Sequence, residues 1–158
     1  MAVRQDEAVE REVRVEAGQE TVFEFFTDPE KMILWKGRRA ELDARPGGIY
    51  RVEISDQAVA RGEYVEVDRP SKIVFTWGWE GQEAGNGEHA VPPGSSRVEV
   101  TLEPDGDGTL VRLRHLDLPE ASREIHGQGW DLYLGRLAVA APGGDPGPEP
   151  TMQPAEED

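Results

Sequence analysis

Gly108-Thr109-Leu110-Val111-Arg112-Leu113-Arg114-His115 reads as a strand, and His126-Gly127-Gln128-Gly129-Trp130-Asp131-Leu132-Tyr133-Leu134-Gly135-Arg136-Leu137 reads as a helix. In the first stretch Val111, Leu113 and His115 share one face against Leu110, Arg112 and Arg114, the period-two pattern of a half-buried strand. In the second, Leu134 lies four residues after Trp130 and Leu137 three beyond that, so all three share a helical stripe. The helix is expected from Pro119 to about Ala140, since Pro119 opens it without losing a needed hydrogen bond. Its apolar residues include Ile125, Trp130, Tyr133, Leu134, Leu137 and Ala138. Gly127 and Gly129 lower its propensity, which predicts a kink or close packing. Pro142-Gly143-Gly144 ends it.

Upstream, Val9, Arg11, Val13 and Val15 alternate with charged residues as a first strand. Gly18 breaks it. Gln19 to Phe26 reads as a short helix with Val22, Phe23 and Phe26 on one side. Asp28-Pro29 is an N-cap followed by proline at the first helical position, opening a second short helix to about Leu34. Strands then follow at Arg39–Asp43, Gly48–Ser55, Val59–Val67, Lys72–Trp79, Arg97–Glu103 and Thr109–Leu116, with Pro46-Gly47-Gly48 and Pro104-Asp105-Gly106-Asp107-Gly108 as turns. Ile73, Phe75, Trp77 and Trp79 share a face. The resulting order is strand, two short helices, six strands, long helix. Antiparallel strands with helices on one face make an α+β sandwich.

Several motifs recur together along Ala8 to Ala140: Asp28-Pro29-Glu30-Lys31, Trp35, Pro46-Gly47-Gly48, Pro70 with Phe75-Thr76-Trp77, Gly108-Thr109, His115 and Gly129-Trp130. In this combination the chain resembles the activator-of-Hsp90-ATPase-like branch (AHSA1-like) of the START/Bet v 1, or SRPBCC, superfamily. The resemblance implies a helix-grip fold, a seven-stranded antiparallel sheet wrapped around the long helix with a cavity between them. It also implies an apolar or amphipathic ligand there: a lipid, polyketide or aromatic metabolite. Rings with one polar atom suit such a cavity. The candidate lining is Trp35, Tyr50, Tyr64, Trp77, Trp79, His115, Trp130, Tyr133, Leu134 and Leu137. Trp79, beside a long loop, is expected at the cavity mouth or an exposed edge.

Length and composition bound the rest. The 158 residues suit one domain, expected over 8–141 between a frayed start at 1–7 and an acidic Pro/Gly-rich disordered tail at 142–158. Acidic residues outnumber basic ones 32 to 17, a net charge of −15. That balance argues against non-specific nucleic-acid binding and against anionic membrane surfaces. It reads as a solvated surface or as adaptation to high salt. There is no cysteine, no signal-like apolar run at the start and no apolar stretch of membrane length. A cytoplasmic protein is expected.

Few residues advertise chemistry. Gly85-Asn86-Gly87 lacks the strand, helix and lysine of a phosphate loop. His89, His115 and His126 have no zinc spacing, so no metal and no cofactor are expected. Ser95-Ser96 reads as loop without a matched His and Asp. His115 shares the inward face of its strand, where it serves either as a satisfied wall residue or as a ligand-orienting acid or base. His126 reads as a helix-packing residue near Trp130. Arg11 and Arg51 fall on exposed strand faces. Gly81 to Gly94, with Glu83, Glu88 and His89, reads as a mobile loop or a lid. Small-molecule binding is the leading function. The alternatives are a cyclase or dehydratase using polar cavity residues, and a chaperone-related protein-interaction module. A homodimer through a strand edge or the cavity rim is compatible with the sequence.

Overall fold

The strand β1 (Val9–Val15) alternates as expected, with Val9 and Val15 buried and Glu10, Glu12 and Arg14 facing water. This computed structural model describes residues 8–55, 58–80 and 91–147. The expectations for the frayed start, for Glu83, Glu88 and His89, and for the tail after Gly147 lie outside the described residues. After β1 come α1 (Gln19–Thr27) and α2 (Pro29–Met32), then β2 (Arg39–Leu42), β3 (Ile49–Glu53), β4 (Val59–Asp68), β5 (Lys72–Trp77), β6 (Ser96–Asp105), β7 (Gly108–Leu116) and the long helix α3 (Glu120–Ala140). The seven strands form one sheet in the order β1-β7-β6-β5-β4-β3-β2. Every neighbouring pair is antiparallel. This is the expected helix-grip architecture.

The sheet has one dry face and one wet face, the arrangement antiparallel sheets favour. On the wet face, Arg112 and Arg114 of β7 reach glutamates on both neighbouring strands. Arg112 bonds Glu12 and Glu103, and Arg114 bonds Glu10 and Glu99. Opposite charges set across adjacent strands each contribute a few tenths of a kcal/mol or so. On the dry face, Val98, Val100, Leu102, Val111 and Leu113 are buried against Trp130, Tyr133, Leu134 and Leu137 of α3.

Local chemistry explains the boundaries. The Asp28 carboxylate caps α2 by accepting from the Glu30 backbone N–H. Gly106, with a φ of +62°, closes the two-residue turn between β6 and β7. Several boundaries fall short of expectation, among them the end of β2, both ends of β3 and two more. The helix α2 stops at Met32, leaving Leu34 exposed. The strand β5 stops at Trp77, and Trp79 pairs with β4 through an isolated bridge to Ala60. The cause is Gly78, where the returning chain crosses so closely that a Cβ would stand 1.8 Å from the Pro92 carbonyl oxygen.

The helix α3 runs unbroken through both expected weak points. Gly127 is a site of close packing, since a Cβ there would meet the Arg11 guanidinium at 2.5 Å. Arg11 in turn bonds Asp131 at 2.6 Å, tying α3 to the edge strand. Near the C-terminal end of α3 the buried Arg136 guanidinium donates to the carbonyls of Trp35, Pro146 and Gly147.

Gly78→Ala is expected to destabilise the fold by about 3 kcal/mol, at the upper end of overpacking costs, because its obstacle is backbone that cannot rotate away. Urea denaturation of the variant beside the parent measures this.

Candidate functional site

The structure sorts the expected cavity residues into two groups. At one end of the dry face, Trp35, Tyr50 and Tyr64 sit beneath α1 and α2. The Trp35 indole N–H donates to the Phe25 carbonyl and the Tyr64 hydroxyl to the Phe26 carbonyl, both at 2.9 Å. Tyr50 stacks on Phe75 with 4.1 Å between ring centroids. At the other end, Trp77, Trp79, His115, Trp130 and Tyr133 converge on α3. Leu134 and Leu137 are buried on the sheet-facing side of that helix.

The second group contains residues the sequence did not single out together. His126 joins it, 6.0 Å from His115 between ring centroids. Ser96, expected in a loop, is the first residue of β6 and is buried. Lys36, from the connection between α2 and β2, is also buried. Its ammonium lies 4.2 Å from the Trp130 ring centroid, 5.6 Å from Tyr133 and 5.7 Å from Trp77. Such placement over ring faces attracts a cation electrostatically. No periodicity in the sequence marks Lys36, because it lies outside any helix or strand.

The hydrogen bonds determine the protonation of both imidazoles. An indole N–H can only donate. Trp130 Nε1 lies 3.0 Å from His115 Nδ1, so that nitrogen accepts and carries no proton. The neutral ring therefore holds its proton on Nε2, which donates to Ser96 Oγ at 2.8 Å. Ser96 passes its own proton to the Trp77 carbonyl at 2.8 Å. His126 is the mirror case. Trp79 Nε1 donates to its Nε2 at 3.0 Å, so its proton sits on Nδ1 and bonds the Ser122 carbonyl at 2.8 Å. Ser96 is thus no activated nucleophile, since the neighbouring imidazole nitrogen already holds a proton.

Burial holds the His115 pKa well below the usual histidine value, with the nearby His126 and Lys36 adding to the effect. Burial also lowers that of His126, opposed by the Ser122 carbonyl and assisted by Lys36. One polar atom in the cluster stands apart. The Trp77 indole N–H is buried, with its residue only 3 % exposed, and has no acceptor among the described residues. The Trp77 ring meets His115 and His126 edge-on at 4.9 and 5.3 Å.

The remaining candidates have other places. Arg51 is half-buried and holds Glu80 at 2.9 Å, and this bond lowers the Glu80 pKa. A cleft of about 560 Å³ lies elsewhere, between Ile33, Leu34, Arg38, Arg136 and Pro146, and none of the expected cavity residues lines it. Among the described residues, no group of three or more His, Cys, Asp or Glu is placed to hold a metal ion. No described helix is long and apolar enough to cross a membrane.

A sheet folded over one long helix, with a polar-aromatic cluster where they meet, defines a helix-grip protein. The family described as Activator of Hsp90 ATPase homolog 1-like protein matches residues 16–141, and the chain belongs to that family. Among solved structures it is similar to the AHSA1-like protein of Rhizobium etli, at 42 % identity and a TM-score of 0.69 over 92 % of this chain and 88 % of that one. It is also similar to DynU16, a protein in the dynemicin biosynthetic locus, at 25 % identity and a TM-score of 0.74 over 89 % of this chain. The chain spans about half of DynU16, covering 49 % of it. An HSP90 activator from Plasmodium falciparum shares the fold at 24 % identity and a TM-score of 0.67, over 84 % of this chain and 94 % of that one. No curated protein matches the chain.

The two neutral histidines should make stability depend on pH. Above about pH 6.5 the folded and unfolded chains both hold them uncharged. Below it the unfolded chain takes up protons that the folded chain refuses, so stability falls until the depressed folded pKa values are reached. The slope approaches about 1.4 kcal/mol per pH unit for each histidine. Urea denaturation at pH 7.5, 6.5 and 5.5 measures it, and His126→Gln should remove about half of this slope. Long-range proton–nitrogen NMR should find the His115 proton on Nε2 and the His126 proton on Nδ1.

Proposed function

We propose that this protein binds a small apolar or amphipathic molecule carrying an oxygen acceptor, held between the sheet and α3 against Trp77. One observation carries the reading. In a cluster whose imidazoles and other two indoles are hydrogen-bonded, the Trp77 N–H is buried without an acceptor among the described residues. A buried donor left unpaired costs about 1–3 kcal/mol. A carbonyl, quinone or phenolic oxygen would recover that cost, and the surrounding rings suit a flat apolar body. Trp79, His115, Trp130 and Tyr133 form the wall in this reading, with Leu134 and Leu137 along the helix. Trp35, Tyr50 and Tyr64 form the far floor.

Binding is favoured over cyclase or dehydratase chemistry by the state of the histidines. A general base must accept a proton from its substrate. The unprotonated nitrogen of each ring is already taken by an indole N–H, and the other nitrogen already holds a proton. Similarity to a protein of a biosynthetic locus supports a small-molecule role. The Hsp90-activator reading rests on family membership without a residue of this chain to carry it. A cytoplasmic setting suits a chain without cysteine.

Native mass spectrometry of freshly purified protein, then denaturation, should release a bound molecule with an aromatic or polyketide-like skeleton. A neutral naphthyl ketone fluorophore serves as the probe in titration. Trp77→Phe keeps the ring and removes the N–H, and should weaken probe binding by about 5- to 150-fold, the equivalent of about 1–3 kcal/mol. Equal binding by parent and variant would overturn the assignment to Trp77.

A further inference from the structure

The outer face of α3 carries a second pattern unrelated to the buried cluster. Ala121, Ile125, Gln128, Leu132, Gly135 and Val139 follow one another at alternating steps of four and three, and all are exposed. Ile125 is 61 % exposed, Leu132 38 % and Val139 44 %. That spacing is the seam of a two-helix coiled coil. Nothing among the described residues requires a glycine at 135. A Cβ there would meet nothing within 4 Å, whereas a Cβ at Gly127 on the same helix would strike Arg11. A glycine at an exposed mid-helix position costs about 1 kcal/mol relative to alanine.

We propose that this face pairs with the same face of a second copy, with the two α3 helices antiparallel. The inference goes beyond the ligand reading and does not rest on it. The stripe is self-complementary in one orientation. About a two-fold axis at the level of Trp130, Ile125 meets Gly135 of the second copy, Leu132 meets Gln128, and Val139 meets Ala121. Every layer then sets one large aliphatic group against a smaller or polar one, and Gly135 makes room for the Ile125 side chain. A parallel pair would stack Ile125 on Ile125 and leave glycine facing glycine. A two-fold contact uses the same patch on both copies, as this one does. Among the charged residues of α3, Asp131 lies nearest the axis, and its charge is matched by Arg11 at 2.6 Å.

The size of the contact sets its strength. One pair of helices this long buries less than the ~1,200 Å² of a stable interface. The net charge of −15 opposes association further. The dimer is therefore weak, forms at tens to hundreds of micromolar on the order expected for such a small contact, and strengthens with added salt.

Sedimentation velocity of the full chain from about 10 μM to 1 mM, at low and high sodium chloride, reads the association. The sedimentation coefficient should rise with concentration and with salt. Leu132→Glu, on the exposed face, should abolish the rise while leaving the thermal midpoint close to the parent. Gly135→Ala should raise the thermal midpoint yet weaken association. Because the chain has no cysteine, introduced thiols report the orientation. A mixture of Ile125→Cys and Gly135→Cys chains should form a 125–135 disulfide. Ile125→Cys alone should not cross-link, since the two thiols would be about 15 Å apart along the axis. A monomer throughout would overturn the proposal and leave the stripe to a different chain. A dimer indifferent to Leu132→Glu, or a dominant 125–125 disulfide, would overturn it as well.

Discussion

Two indole-to-imidazole hydrogen bonds determine how the long helix lies on the sheet. Trp130 on α3 donates to His115 on β7, and Trp79 after β5 donates to His126 on α3. Each bond crosses from sheet to helix in the opposite sense. Hydrophobic burial alone is non-directional and would let α3 slide or rotate over the dry face. Buried polar bonds are directional, and breaking one leaves its partner unsatisfied at a cost. The same bonds hold both rings neutral, so the cluster tolerates a lysine ammonium beneath three aromatic faces without a second buried cation nearby.

The division of labour between the two ends of the core follows from this. Beneath α1 and α2, Trp35 and Tyr64 give their polar atoms to backbone carbonyls of α1, which pins the short helices down. At the His115 end, side chains also bond to side chains, and the Trp77 N–H is left without an acceptor among the described residues. Polar networks of this sort are costly when incompletely satisfied. A protein that keeps one therefore has a reason for it, and the ligand proposed for Trp77 would be such a reason.

The alternation of β7 and the Trp130-Leu134-Leu137 stripe were legible in the sequence because each reflects a single period imposed by a single buried face. The seven strands and three helices followed from such patterns and from turn residues such as Asp28-Pro29 and Gly106. The Trp77–His115–His126–Lys36 cluster was only partly legible. His115 could be placed by parity with Val111 and Leu113. Lys36 could not, since it belongs to a connection with no period, and its burial depends on Trp77 and Trp130, distant in sequence. Ser96 opens β6 one residue before Arg97, where the sequence alternation starts, and so falls in the expected loop. The early end of β5 depends on how closely Pro92 crosses Gly78, which no local pattern reveals.

The clamp at Arg136 also settles how the domain transmits force. Its guanidinium grips the carbonyls of Pro146 and Gly147 on one side and that of Trp35 on the other. Tension on the chain beyond Gly147 would therefore load this cross-link before it could peel α3 from its C-terminal end. The strain would arrive at Trp35, one residue from the lysine beneath the aromatic rings. The exit of the chain and the interior of the cluster are in this way joined by one side chain, along a path that bypasses the sheet.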